Sequence, residues 1–155
     1  VALERFGTFS GPSTLTSSAA DIPKNIRSIS LRYAHYTSRY LTFDAVVNED
    51  ANLKPVEPVP ANVKPAWAKA HHGYPFIDFG GRAVLKYSSF SASVLEGMSR
   101  VQIASELAQA ARPVSQAIVG TANQLTAAIC LATGNQPGKV CGSKTIATIE
   151  GSLRR

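Results

Sequence analysis

The stretch that decides the fold reads Tyr74-Pro75-Phe76-Ile77-Asp78-Phe79-Gly80-Gly81-Arg82-Ala83-Val84-Leu85-Lys86-Tyr87. Two short apolar runs flank a glycine pair, and glycines supply the positive φ angles that a tight hairpin turn requires. The segment therefore predicts an antiparallel hairpin. Pro75 stands at its opening, where a residue without an N–H costs the ladder nothing. Taken alone, Pro75 reads as an ordinary trans proline, since only about 5–6% of X-Pro bonds are cis in folded proteins. Asp78 shares a face with Phe76. It reads as a hydrogen-bonded strand residue, with a functional carboxylate as the alternative.

Downstream of the hairpin the chain turns helical. Ser99 is placed to cap a helix over 101–110, with Val101, Ala104, Leu107 and Ala108 on one side. Arg112-Pro113 opens a longer helix reaching about Leu131, whose residues Val114, Ala117, Ile118, Thr121, Leu125, Ala128 and Ile129 keep a helical period. The run 133–138 ends it with turn residues, and Ser143 is placed to cap a last helix containing Ile146 and Ile149.

Upstream, residues 1–6 read as the last turns of a helix stopped at Gly7. The Ser-, Thr-, Gly- and Pro-rich run 7–24 reads as loop. Residues 26–33 alternate apolar and polar, the period of a half-buried strand. A second strand is expected over 40–47, with 33–39 as the connection. An acidic, Pro-rich excursion over the surface fills 48–65, and Pro65 opens a short helix to His71.

The 155 residues suit one domain, and 45% hydrophobic with 17% charged residues is ordinary for a globular chain. No apolar run is expected to approach the roughly 18 residues of a membrane span. The net charge of +6 comes from basic residues scattered between Arg5 and Arg155, with no aromatic-interleaved stripe. That distribution fits a solvated surface and gives no reason to expect nucleic acid as a partner. Cys130 and Cys141 are the only thiols. In a cytosolic protein such a pair reads as free thiols or a metal half-site. His35, His71 and His72 lie far away in sequence, so no zinc pattern is completed. Adjacent His71 and His72 do not face one way on a helix and read as a solvated helix end. A local disulfide is the simpler reading of the cysteines, and it implies an oxidising compartment. A redox pair is disfavoured, because Cys130 sits near a helix end, where the dipole opposes a thiolate. No phosphate-binding loop, Ser-His-Asp spacing or paired catalytic carboxylates are present, and no cofactor or metal is expected.

An X-Pro leading into a hairpin and then a helix is how the second half of a thioredoxin fold is written. The blocks Arg5-Phe6-Gly7-Thr8-Phe9-Ser10-Gly11, Tyr40-Leu41-Thr42-Phe43, Pro75-Phe76-Ile77-Asp78-Phe79-Gly80, Gly120-Thr121-Ala122-Asn123, Ala127-Ala128-Ile129-Cys130 and Thr133-Gly134-Asn135-Gln136-Pro137 occur in order along the chain. They resemble domain-of-unknown-function family 929, a bacterial and archaeal thioredoxin-like group, typically membrane-anchored with the domain outside the cytoplasm. The resemblance implies an α/β thioredoxin-like fold over 1–155, partial at its N-terminus. That fold would lack its first strand and the start of the redox helix, and would carry extra C-terminal helices.

Members of that family usually carry a Cys-Pro-x-Cys-type motif at the start of the redox helix, which by the resemblance lies before Val1. The parent is then expected to be a thiol–disulfide oxidoreductase-like protein outside the cytoplasm. It would be membrane-anchored through an N-terminal segment and act on cysteine-containing protein substrates. These 155 residues would contain no catalytic residue of their own. Tyr74 and Pro75 would form the substrate-facing loop, with a cis bond between them and Tyr74 beside the dithiol. Cys130 and Cys141 would be a structural disulfide clamping the 133–138 turn. The rival expectation is a non-catalytic binding or structural module that keeps the fold.

Overall fold

A computed structural model of the chain describes residues 1–11, 13–16, 27–30, 33–50 and 54–153, with 13–16 and 27–30 as backbone. The elements are a 3-10 turn at Leu3–Arg5, strands β1 (Gly7–Ser10), β2 (Ser13–Thr16), β3 (Arg27–Ser30) and β4 (His35–Ser38), helix α1 (Lys64–Lys69), strands β5 (Phe76–Asp78) and β6 (Val84–Lys86), a second 3-10 turn at Ala92–Leu95, and helices α2 (Arg100–Leu107), α3 (Pro113–Ala132), α4 (Gly138–Cys141) and α5 (Lys144–Leu153). The chain is thus a mixture of helix and strand, in keeping with the α/β class.

The decisive stretch folds as its residues dictate. Phe76 pairs with Lys86, Ile77 with Leu85 and Asp78 with Val84. Gly80 and Gly81 both take positive φ, 59° and 71°, which an L side chain adopts only under strain. Asp78 Oδ1 accepts from the Gly81 N–H at 2.8 Å, so this carboxylate holds the turn. Its structural reading is the one realised.

The N-terminal half departs from the sequence expectations. Residues 1–6 form a 3-10 turn and no α-helix. The run 7–24, read as loop, contains β1 and β2; its remaining positions, 12 and 17–24, lie outside the described residues. β1 pairs antiparallel with β4, and β2 with β3. Among the described residues each pair is a two-stranded ribbon of its own. Of the strand expected over 26–33, the segment 27–30 is strand, while 26, 31 and 32 lie outside the described residues. The connection expected at 33–39 contains β4, whereas the strand expected over 40–47 is irregular. Strand formation here is decided by who pairs with whom. β4 pairs its backbone with β1, and Tyr36 is braced across that pair by Phe9 at 4.8 Å, whereas 40–47 joins the rings through Phe43 but pairs with no described strand.

The helices follow their local signals more closely. Ser99 accepts from the Gln102 N–H and Gln102 Oε1 accepts from the Ser99 N–H, a capping box that starts α2 at Arg100. The inward side of α2 differs from the expected one. Val101 is 79% exposed and Ala104 and Ala108 are exposed too, while Leu107, from the expected side, is half-buried together with Ile103 and Glu106. Pro113 occupies the first turn of α3. The buried residues of α3 include Val114, Ser115, Ala122, Thr126, Ile129 and Cys130, a stripe seven and eleven residues apart. The short α4 was not anticipated.

α3 is long enough, and with a mean hydropathy of 1.2 apolar enough, to cross a membrane by length and composition, contrary to the sequence reading. In this fold 44% of that window is buried. One cluster unites Ala2 and Phe6 from the first turn, Phe79 from the hairpin, Ala127–Cys130 from α3, Cys141 from α4 and Ile146 from α5. The three sheets are each two-stranded, and β5–β6 pairs with neither of the others. Isolated two-stranded ribbons are marginal, so the hairpin relies on the helices behind it.

Candidate functional site

The mouth of the hairpin gathers more exposed aromatic side chains than any other described surface. α1 ends at Ala70, after which His71 and His72 both take left-handed backbone angles, φ 54° and 57°. This folds the chain back on the helix and brings the His72 ring to 4.4 Å from Trp67, edge to face. Tyr74 follows, 5.6 Å from Trp67 on another side. Trp67 is thus in contact with two rings, and its buried indole N–H has no acceptor among the described residues. Gly73 is buried because a side chain has no room there. A Cβ at this position would stand 2.5 Å from the Tyr87 ring.

The Tyr74–Pro75 bond is cis, as the family resemblance implied, and Gln136–Pro137 is cis as well. The Tyr87 N–H donates to the Pro75 carbonyl at 2.9 Å, closing the hairpin one pair beyond its strands. Tyr74 is 48% exposed and Tyr87 49% exposed, so the proline is flanked by two half-open phenol rings. Lys86 Nζ lies 6.0 Å from the Tyr87 ring centre.

The acidic excursion reaches this surface, a contact the sequence did not reveal. The segments 47–50 and 54–57 lie antiparallel and hydrogen-bond to one another. The Val56 N–H donates to the Asn48 carbonyl, the Asp50 N–H to the Lys54 carbonyl and the Glu57 N–H to the Val47 carbonyl. Asn48 Nδ2 donates to the Glu57 carbonyl at 2.8 Å, which aims its Oδ1 to accept from the Tyr74 hydroxyl. Burial, and after it the Glu49 carboxylate, pushes the Tyr74 phenol above its usual range.

Cys130 and Cys141 are joined, with Cα atoms 5.6 Å apart and relative exposures of 0% and 2%. The disulfide closes the corner between α3 and α4. Around it, the Asn135 N–H donates to the Cys130 carbonyl at 2.8 Å, and Asn135 takes φ 63°. With its amide nitrogen turned toward α5, Asn135 donates to both oxygens of buried Glu150 at 2.6 and 3.2 Å. Thr133 Oγ1 donates to the Gln136 carbonyl at 2.7 Å. The block 133–137 is therefore a cross-braced turn, and its cysteines are sealed from solvent.

Two other quoted blocks meet in space. Arg5 Nη1 donates to Asn123 Oδ1 and Thr126 Oγ1, each at 2.9 Å, while Thr126 Oγ1 donates to the Ala122 carbonyl at 2.6 Å. This polar tie fixes the first turn to α3. Nothing in the spacing of residues 118 apart forecasts it.

Beside these, the hairpin, α3 and α5 enclose an apolar groove of about 270 Å³, lined by Phe79, Leu85, Leu125, Ala128 and Ile149. Among the described residues no three His, Cys, Asp or Glu side chains converge as metal ligands. No family model matches the chain, and no curated protein or solved structure matches it.

Proposed function

We propose that the chain is the thioredoxin-like part of a thiol–disulfide oxidoreductase-like protein that works outside the cytoplasm. In this reading it belongs with domain-of-unknown-function family 929. Its dithiol and its membrane anchor lie in chain preceding Val1, and its partners are cysteine-containing proteins. The observation that carries the reading is the exposed Tyr74–Pro75 element at the mouth of a hairpin packed on α3. It offers backbone and two phenol rings to an extended partner. The sealed Cys130–Cys141 bridge supports an oxidising compartment, since disulfides persist there and are rare in the cytosol. It also supports a structural role for this pair, because a catalytic thiol must be reachable.

The rival reading is a non-catalytic binding or structural module that keeps the fold, and the lack of a free cysteine in the described chain fits both readings. Two measurements separate the readings. The first is the sequence encoded before Val1, where Cys-x-x-Cys is expected and its absence favours the module. The second is reduction of a model disulfide by a thiol reductant. The extended protein is expected to accelerate it and the 155-residue chain to leave it unchanged. Turnover by the 155-residue chain that Cys130→Ser abolishes would overturn the assignment of this pair as structural.

A further inference from the structure

The hairpin has an edge that the function above does not use. The Tyr87 N–H donates to the Pro75 carbonyl and the Phe79 N–H to the Ala83 carbonyl, two bonded pairs that enclose the register Phe76–Lys86, Ile77–Leu85 and Asp78–Val84. Bonded and non-bonded pairs alternate along an antiparallel ladder, so Ile77 and Leu85 form the bonded pair between them. The backbone N–H and C=O groups of Val84 and Lys86 therefore point away from β5. No third strand pairs with β6, and these two residues have no further backbone partner among the described residues. A three-residue edge that carries a lysine resists casual pairing. What sets this edge apart is the apolar groove beside it. The hairpin wall of that groove includes Ala83, Val84 and Leu85 and no residue of β5, and the helices supply Leu125, Ile149 and Leu153. Val84 and Leu153 are 51% and 46% exposed, so the groove is open and its rim is apolar.

Unpaired strand backbone alongside an apolar groove has a definite complement. An extended segment laid against β6 bonds to the outward groups of Val84 and Lys86. Every second side chain of that segment then falls on the face of Leu85, which packs against the core, and enters the groove. A cavity of about 150 Å³ takes one benzene-sized molecule, so the 270 Å³ here has room for two aliphatic side chains. On the opposite face Lys86 is exposed and makes no ion pair among the described residues, which favours a carboxylate across from it. A second copy of this chain is the poorer occupant. It would bring another unpaired Lys86 to the same short edge, and a net charge of +6 with it. We infer that β6 receives an antiparallel strand from a partner protein, with an acidic residue opposite Lys86 and aliphatic residues opposite Leu85 and Ala83. The inference rests on the β5–β6 register and the groove, and stands independently of the redox reading.

The probe is a capped peptide, Glu-Ile-Thr-Ile flanked by Gly and Ser, titrated into the chain by calorimetry. Saturable binding is expected, and in the complex the Val84 and Lys86 amides should exchange more slowly while those of β1 and β4 are unchanged. N-methylation of the peptide's Thr, whose N–H faces β6, should abolish binding. N-methylation of its first Ile, whose N–H points away, should leave binding in place. Lys in place of Glu should weaken binding by about two- to fivefold, the scale of an exposed ion pair. Ser in place of both Ile residues should weaken it by more than about tenfold, since their burial is lost. Val84→Pro removes the outward donor without touching a β5–β6 bond and should abolish binding, with circular dichroism establishing that the variant is folded. The inference is overturned if the peptide does not bind, if the two N-methylated forms bind alike, or if the Glu and Lys forms or the Ile and Ser forms bind alike. A folded Val84→Pro that binds as tightly as the parent chain also overturns it. Self-association of the chain in sedimentation that Val84→Pro abolishes would assign the edge to a second copy and overturn it as well.

Discussion

The helical corner formed by α3, α4 and α5 and the ribbon formed by β1 and β4 are built on opposite principles. In the corner, partners are close in sequence. Cys130 and Cys141 are 11 residues apart, and Asn135 bridges to Glu150. Cys130, Cys141, Ile146 and Glu150 are all buried. In β4 and the irregular segment after it, none of the described residues 33–50 is fully buried. Its partners come from across the ribbon, and its rings stack on one another at the surface. The corner is held by enclosure and a covalent tie, the ribbon by cross-strand pairing, half-buried rings and side-chain hydrogen bonds to the first turn. Stability that depends on distant partners is the first to be lost when a chain opens locally.

The strongest way to break this contrast is to remove the largest apolar side chain by which the N-terminal segment joins the helical core. Phe6 is 3% exposed and shares a cluster with Ala127–Cys130. Phe6→Ala should cost about 3–5 kcal/mol in denaturant unfolding. If it costs less than about 1 kcal/mol, the first turn is not part of the core.

The next effect sharpens the contrast within the corner. Replacing both cysteines by serine should lower stability by about 3 kcal/mol, the chain-entropy value for a short loop. Amide exchange should quicken in α4 and α5 and stay nearly unchanged in β1 and β4. Equal quickening in both regions would mean that the disulfide supports the whole molecule. Thiol counting in denaturant should find no free thiol in protein made under oxidising conditions.

A smaller loss is expected from the polar tie. Thr126→Val keeps the shape but leaves Arg5 with a single partner on α3, and about 1–2 kcal/mol should follow. A double-mutant cycle with Arg5→Met isolates the coupling. Additive effects would show that the tie contributes nothing.

The smallest effect is a pH dependence in the ribbon. Tyr36 donates to the Leu3 carbonyl at 2.8 Å, and burial raises its phenol above the usual value, against a smaller lowering influence from Ser38. A folded-state value above the unfolded one means stability is full below about pH 10 and declines as pH rises through the folded value. Tyr36→Phe should flatten that alkaline slope. A slope unchanged in the variant would assign it to another group.

Much of the structure specified by residues within a few positions of one another was legible in the sequence, the 3-10 turn at Leu3–Arg5 and the short α4 being the exceptions. Gly80-Gly81 demanded positive φ and produced the hairpin, and Ser99 with Gln102 produced the start of α2. Pro113 opened α3, and two cysteines flanking a turn found each other. Tertiary structure decided what depends on remote partners. Only pairing with His35–Ser38 makes a strand of Gly7–Ser10, where Thr8 and Phe9 stand between a glycine and a serine that favour loop. Only packing turns Val101 outward and Ile103 inward on α2. Arg5 with Asn123, and Asn48 with Tyr74, are joined by hydrogen bonds between side chains 118 and 26 residues apart. Local conformational preference is written in neighbouring residues, whereas a strand's partner or a polar side chain's acceptor is settled only when the chain closes on itself and water is excluded.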